Sequence, residues 1–185
     1  MDDAAVVHPL LLELEQFARK EDIPTIPRAT GRFLWVLIHG MQANRILEIG
    51  TAFGYATMWM ALAQPPLGKI WTFDPDIDRT EVARSYFQRA GEDDHIEIVN
   101  QPALEVLPIF PQRNMDIVFV DSPEKDYREY LDYCIPLLKL SGLLIFTNLY
   151  DERCADFNES FLNHPELAAT ILPIGGGLGI GARRQ

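Results

Sequence analysis

The sequence predicts an α/β protein whose doubly wound, mostly parallel sheet ends in an antiparallel hairpin strand. Short apolar runs alternate with helical segments over residues 45–163, and this is the pattern of parallel strands joined by helices. Three of these runs are almost continuously apolar, as expected for strands that are covered on both faces. The last residues then read AATILPI, GGG and LGIGARR, which indicates two strands joined by a glycine turn.

Two helices are predicted before the sheet begins. Residues 9–19 place leucines and a phenylalanine near one helical face. The segment 21–30, EDIPTIPRAT, is interrupted by prolines and is predicted to be a loop. A second helix is then expected over residues 31–42, and its inward side chains would be Phe33, Leu34, Leu37 and Ile38.

The elements of the sheet follow in a regular order. The predicted strands are RILEIG (45–50), KIWTFD (69–74), IEIVN (96–100), MDIVFVD (115–121) and GLLIFTN (142–148). The predicted helices span 55–63, from Asp78 or Thr80 to Ala90, from Pro102 through Leu107, 125–138 and 154–163. Proline and glycine residues mark several of these ends, since neither continues a helix well.

Composition limits the classes of partner. The 185 residues carry a formal net charge of −11, and a nucleic-acid partner would instead require a basic patch. No apolar run has the length of a membrane span. The start, MDDAAVVHPLL, has neither the basic nor the apolar region of a signal peptide, so a cytoplasmic protein is expected. Cys134 and Cys154 have no metal-type spacing and predict no disulfide framework.

The stretch RILEIGTAFGY, residues 45–55, is the most informative motif. Glycines that follow a strand allow the backbone to approach a polar small molecule. Glu48, Gly50 and Gly54 form the pattern E-x-G-x-x-x-G, which is associated with S-adenosylmethionine (SAM), and Thr51 and Tyr55 belong to the same loop. A dinucleotide fingerprint would need glycine at 52 and 55. The alternative is that these glycines serve only a tight turn.

Polar side chains follow the other strands, at the edge where a parallel sheet binds its ligands. Asp74 ends the second strand, 24 residues after Gly50, where a carboxylate can accept hydrogen bonds from both ribose hydroxyls. The alternative is that Asp74 only opens the DPDID turn. Ala103, after the third strand, is predicted to meet an adenine edge. Asp121 and Asn148 end the fourth and fifth strands, and Asp121 lies where cofactor and acceptor would meet.

Several motifs together resemble one known family. ILEIGTAFGYAT, the acid of TFD, VFVDSPEKDYREYL, PLLKLSGLLIFTN and LPIGGGLGIGAR are similar, in order and spacing, to the cation-dependent O-methyltransferases of the caffeoyl-CoA and catechol type. The resemblance runs from about Gly31 to the end of the chain. It implies a Rossmann-like SAM-binding sheet, a catechol-like acceptor, a divalent cation such as magnesium, and a homodimer.

The resemblance also implies roles for individual residues, and this chain departs from it at several of them. The cation ligands implied are the acid that ends strand four, here Asp121, and an Asp-Asn pair that ends strand five, here Thr147-Asn148. A magnesium site would therefore consist of Asp121 and Asn148 and lack one anionic ligand. The position of the general-base lysine holds Glu124, so Lys125, one residue later, is the candidate catalytic base beside Asp121.

A further departure concerns the cofactor. The serine that would bond the methionine carboxylate of SAM is Ala56, and Thr57 is predicted to replace it. The lost hydrogen bond to a charged group would cost roughly 1.5–3 kcal/mol.

We therefore expect one SAM-dependent methyltransferase domain over residues 1–185, with an N-terminal helical segment over 1–40 and the cofactor-binding sheet over 45–185. It would methylate an oxygen of a small hydroxylated acceptor, and it would have neither a nucleic-acid nor a membrane partner. Two alternatives stay open: a SAM-binding relative with a degraded metal site, which works without a cation or not at all, and a nicotinamide-dependent oxidoreductase.

Overall fold

Seven strands form one mixed sheet in a computed structural model that describes residues 7–185. The strands are β1 (Arg45–Ile49), β2 (Lys69–Phe73), β3 (Ile96–Val99), β4 (Met115–Val120), β5 (Leu138–Phe146), β6 (Leu167–Leu172) and β7 (Leu178–Arg183). Their order across the sheet is β3-β2-β1-β4-β5-β7-β6. The first five strands pair in parallel, whereas β7 runs antiparallel to both β5 and β6. The predicted doubly wound sheet with its terminal hairpin is thus confirmed.

Helices cover both faces of this sheet. They are α1 (Pro9–Lys20), α2 (Arg28–Met41), α3 (Tyr55–Ala61), α4 (Ile77–Ala90), α5 (Ala103–Val106), α6 (Tyr127–Cys134) and α7 (Ala155–Leu162). Strand side chains alternate between the faces. Ile46 therefore packs with α1 to α4, and Leu47 with α5 to α7. No helix among residues 7–185 is both long and apolar enough to cross a bilayer. Residues 1–6 of the predicted N-terminal segment lie outside the described residues.

The structure moves several predicted boundaries. Helix α2 begins at Arg28, because Pro27, with φ −60° and ψ 149°, forms its extended N-cap. The loop before α2 is therefore shorter than predicted. Its residues Leu34 and Ile38 are fully buried, whereas Phe33 and Leu37 are half-buried.

Two further corrections concern α4 and β5. Helix α4 is capped by Asp76, whose side chain accepts a hydrogen bond from the Arg79 N–H, and not by Asp78 or Thr80. Strand β5 starts at Leu138, since this residue pairs with Met115 ahead of an irregularity in the β4–β5 ladder.

Candidate functional site

A cavity of about 800 Å³ opens beyond the carboxyl ends of the five parallel strands, β1 to β5. This is the edge at which open α/β sheets bind their ligands, and the volume is within the range of small-molecule sites. The predicted site residues that line the cavity are Gly50, Thr51, Tyr55, Asp74, Ala103, Asp121, Lys125 and Asn148. The other three predicted cofactor-binding residues are not among the described residues that line the cavity: Glu48, Gly54 and Thr57.

The two motif glycines are required by packing inside the protein. Gly50 has φ +101°, and a Cβ at this position would overlap the backbone carbonyl of Asp121. Gly54 has φ +79°, and its Cβ would lie 2.6 Å from the ring of Phe87 in α4. Gly50 lines the cavity, but what excludes a larger residue at this position is the end of the neighbouring strand β4. Gly54 allows the start of α3 to approach α4, and its predicted contact with a cofactor stays a prediction.

Glu48 lies beneath the cavity in a buried polar cluster. Its Oε2 accepts hydrogen bonds from the hydroxyls of Thr57 at 2.5 Å and Thr72 at 2.6 Å. The Thr51 hydroxyl, which lines the cavity, lies 2.6 Å from that of Thr72. Glu48 is fully buried, and burial raises its pKa to about 8 against the opposing hydrogen bonds. Strand alternation points Glu48 toward α3, so neither it nor Thr57 faces the cavity.

This arrangement also corrects the role expected of Thr57. The Thr57 side chain is fully buried and its hydroxyl is committed to Glu48. It cannot replace the serine that the resemblance implies at Ala56, which does line the cavity.

Asp74 holds the loop that follows β1. Its Oδ2 accepts a hydrogen bond from the Ala52 N–H at 2.8 Å, and its Oδ1 accepts one from the Asp76 N–H at 2.9 Å. An ionised carboxylate has about four lone-pair sites, so both oxygens can still accept a bond from a ligand. Both predicted roles are therefore compatible with the geometry, because the carboxylate fixes two turns while its edge faces the cavity.

Asp121 and Thr147 meet where β4 and β5 end. The Thr147 hydroxyl donates a hydrogen bond of 2.7 Å to Asp121 Oδ1. Burial raises the pKa of Asp121, the Thr147 bond lowers it, and the nearby charge of Glu124 raises it further. On the other side of Thr147, the fully buried Tyr127 hydroxyl lies 3.3 Å from the Thr147 Oγ1. Asn148 follows with φ +57° and is exposed.

Glu124, at the position of the general-base lysine, and Lys125, one residue later, differ in their surroundings. Glu124 lines the cavity, and its carboxylate forms an ion pair of 3.3 Å with Arg153, which is also bonded to Asp151. Lys125 lines the cavity as well but is exposed. Both sit in a short 3₁₀ turn after Pro123, so the turn brings Lys125 to the cavity rim.

Two walls of the cavity were not predicted from the sequence. One is the segment 23–27 between α1 and α2, and the other is the turn of the β6–β7 hairpin, with Gly176 and Gly177. The sequence explains the glycine run by the hairpin turn alone. A Cβ on Gly176 would in fact lie 3.1 Å from the Asn148 side chain, so the run also permits a close approach to the end of β5. The apolar lining residues of the two walls are Ile23, Pro24, Ile26, Pro27, Ile174 and Leu178.

The donor set is one anion short of the divalent-cation centre that the resemblance implies. Asp121 supplies one carboxylate, of which one oxygen is bonded to Thr147, and Asn148 supplies a neutral amide. Magnesium prefers hard oxygen ligands in octahedral geometry and one or two carboxylates. Within residues 7–185, no group of three or more His, Cys, Asp or Glu side chains is arranged to hold a metal. The predicted pair of ligands is thus brought to one cavity, but without a second anion.

Comparisons with known proteins identify the family of this chain. The chain is 36% identical over 119 residues to the catechol O-methyltransferase of Mycobacterium tuberculosis. The aligned region covers 64% of this chain and 54% of that protein. It therefore spans about half the length of that curated relative.

Solved structures match over more of their length. A methyltransferase from Geobacter sulfurreducens superposes with a TM-score of 0.87 at 29% identity, covering 97% of this chain and 91% of that one. An O-methyltransferase of tomaymycin synthesis from Streptomyces achromogenes, solved in complex with SAM, gives 0.86 at 25% identity, with the same 97% and 91% covered. The family model described as O-methyltransferase matches residues 1–184. This chain belongs to the O-methyltransferase family.

Proposed function

We propose that this chain is a SAM-dependent methyltransferase that transfers a methyl group to an oxygen of a small hydroxylated, catechol-like acceptor. One observation carries the proposal: the glycine loop, Asp74 and Asp121 converge on a single cavity of about 800 Å³. Family membership and the SAM complex of the related Streptomyces achromogenes enzyme support the choice of cofactor.

The charges that line the cavity suit SAM, which carries a sulfonium and an ammonium group. Carboxylates outnumber basic groups among the described lining residues: Asp74, Asp76, Asp121, Glu124 and Asp126 against Arg79 and Lys125. An excess of fixed negative charge favours a cationic ligand and raises its local concentration.

The lining also offers a place for each part of SAM. We assign the carboxylate of Asp74 to the ribose and the apolar surface of Ala103 and Leu104 to the adenine, because all three residues line the cavity. The loop from Gly50 to Ala52 then follows the methionine portion. Ala56 offers no hydroxyl to the carboxylate of that portion, so we expect weaker binding than a serine would allow.

SAM supplies, when bound, a methyl group on a positively charged sulfur, which is already activated for transfer. The protein then has to align the acceptor oxygen with that methyl group and accept its proton. Asp121 lies where this proton would be accepted. Segment 23–27, together with Ile174 and Leu178, supplies apolar surface beside the acceptor site.

Lys125 is the second candidate for proton transfer. It reaches the cavity rim, whereas Glu124 is neutralised in part by Arg153. We expect weak turnover of simple catechols, because the lysine position of the resembled enzymes is occupied by an acid whose charge opposes a phenolate. A methylation assay on a catechol with wild type, Lys125→Ala and Glu124→Lys tests this. Brisk wild-type turnover that survives Lys125→Ala would contradict the assignment of Lys125.

We also propose that the protein is cytoplasmic, acts as a homodimer and has a small-molecule acceptor rather than a nucleic-acid or membrane partner. The net charge of −11 argues against a polyanionic partner. The two free cysteines suit a reducing compartment. Sedimentation velocity on the purified chain tests the dimer, since a single species of monomer mass at micromolar concentration would exclude it.

Isothermal titration with SAM is the direct test of the proposed function. We expect saturable binding, no binding of NAD or NADP, and weaker binding by the variant Asp74→Asn. A wild-type protein that gives no saturable heat with SAM while remaining folded would overturn the proposal.

A further inference from the structure

Thr147, directly after β5, has a hydroxyl group at the position where the resembled enzymes have a carboxylate. Its side chain is only 4% exposed, so its conformation is fixed by its neighbours. The hydroxyl donates to Asp121 Oδ1 at 2.7 Å, and the Tyr127 hydroxyl lies 3.3 Å away on the other side. This hydroxyl has one hydrogen, and Asp121 Oδ1 is its nearest acceptor, since the Val120 carbonyl oxygen lies farther away at 3.4 Å. Asp121 Oδ1 is thereby engaged by Thr147.

The other cavity groups do not replace the lost anion. The carboxylate of Glu124 is paired with Arg153 at 3.3 Å, and a cation there would compete with a guanidinium. Asn148 contributes a neutral amide. Of the hydrogen bonds found within residues 7–185, none reaches Asp121 Oδ2, which leaves that oxygen available to a ligand.

We propose that the Asp121–Thr147 hydrogen bond takes the place of a metal centre in this chain, so that Asp121 Oδ2 binds one acceptor hydroxyl directly and no divalent cation is needed. This inference rests on the proposed function and specifies its acceptor class. A cation centre selects two adjacent oxygens because both coordinate the metal. A hydrogen bond to one carboxylate oxygen needs only one hydroxyl, so compounds with an isolated phenolic hydroxyl are acceptors on equal terms with catechols.

The transfer remains balanced without a metal. The acceptor oxygen forms a bond to the methyl carbon, and the bond from this carbon to sulfur breaks with its electron pair remaining on sulfur. The hydroxyl proton passes to Asp121 Oδ2. The products are the methyl ether and S-adenosylhomocysteine, and no oxidant or reductant takes part.

The first test uses calorimetry to measure the binding of magnesium chloride to the protein saturated with SAM. Wild type should show no saturable binding in the millimolar range. Thr147→Asp should bind magnesium at least about tenfold more tightly, because it adds a second hard, anionic ligand beside Asp121. Thr170→Asp, which adds the same charge at an exposed position of β6, is the matched control and should behave as wild type.

The outcomes separate this inference from the proposed function. Failure of wild type to bind SAM in EDTA would count against the function itself, since the cofactor does not require the cation. Saturable magnesium binding by wild type that disappears in Asp121→Asn would overturn the inference but leave the proposed function standing. This readout does not depend on whether Thr147→Asp folds.

The second test uses 4-methylphenol and 4-methylcatechol as methyl acceptors. Turnover of either compound should be the same in EDTA and in magnesium chloride, within about twofold. Methylation of the catechol that stops in EDTA and returns with magnesium would overturn the inference. When neither compound is methylated, the magnesium titration decides.

Discussion

Glu48 is a carboxyl group that the fold has removed from water, and this ties the stability of the protein to pH. Burial raises its pKa from an ordinary value of about 4.5 to about 8. The folded state therefore binds more protons than the unfolded state between these values. The contribution of the protonated group to stability is fully present below about pH 4.5 and is lost as the pH rises through about 8.

This linkage predicts the behaviour of Glu48→Gln. The amide keeps an acceptor for Thr57 and Thr72 but does not ionise. The slope of unfolding free energy against pH, measured by urea denaturation from pH 5.5 to 8.5, should be flatter than in wild type, and the difference should be on the order of a few kcal/mol across the range. Glu105→Gln, at an exposed position, is the control. Equal slopes in wild type and Glu48→Gln would show that Glu48 ionises freely in the folded protein.

Asp74 joins the loop after β1 to the turn after β2, and its substitution tests the ribose contact. Asp74→Asn removes a negative charge and one of the two acceptors. SAM should bind about tenfold to a hundredfold more weakly, which corresponds to a lost charged hydrogen bond of roughly 1.5–3 kcal/mol. Titration calorimetry measures the loss, and Asp78→Asn, on the exposed side of α4, should leave it unchanged.

The sequence identified strand-end residues better than residues within the strand. Asp74, Asp121 and Asn148 could be predicted because the ends of parallel strands share one edge. The motif assigns Glu48 to the cofactor. Its side chain instead lies on the same face of β1 as Ile46, where it is bonded to Thr57 of α3. The motif does not indicate that this face lies away from the cavity.

The contact between α3 and α4 depends on a glycine whose reason is visible only in the structure. At Gly54, both the left-handed backbone and the contact with the Phe87 ring exclude a side chain. Gly91, at the end of α4, has a similar φ of +73°, but a Cβ there would meet no atom of residues 7–185 within 4 Å. The two positions therefore differ only in packing.

We predict that Gly54→Ala is the more destabilising of these two substitutions. Gly91→Ala should cost only the backbone strain, about 1 kcal/mol. Gly54→Ala should cost about 1–3 kcal/mol more, because the added methyl group overpacks the contact with α4. Guanidinium unfolding measures both, and Phe87→Leu should recover part of the excess in Gly54→Ala but nothing in Gly91→Ala. Equal losses at the two glycines would mean that α4 moves aside without cost.

The order of elements and the terminal hairpin were predictable from local patterns of apolar residues. The first residues of α2 and β5 were not. Helix α2 starts earlier because Pro27 already has the extended conformation of an N-cap. Polar residues at Lys139 and Ser141 concealed the early part of β5, which is held by pairing with β4 and by the Arg183 side chain, a donor to the Leu138 carbonyl.

At the scale of the whole molecule, the cavity is assembled by segments that are far apart in the chain. Segment 23–27, the segments after all five parallel strands and the β6–β7 turn contribute to its lining. Such contacts depend on how the ends of the molecule fold back over the sheet. Periodicity along the sequence carries no information about them, so neither wall could be predicted although the sheet itself was.

A ligand that fills such a cavity should stabilise the whole fold, since it binds the folded state alone. At a SAM concentration of about 100 times its dissociation constant, the gain is about 2.7 kcal/mol. For a protein of 185 residues, each kcal/mol raises the melting temperature by roughly 2–4 °C, so we expect a rise of about 5–10 °C in a thermal unfolding scan. NAD at the same concentration should give no rise, because the loop has Ala52 and Tyr55 where a dinucleotide fingerprint has glycines. Asp74→Asn should show a smaller rise than wild type at equal SAM concentration. A shift with NAD that matches or exceeds the shift with SAM would reverse the choice of cofactor.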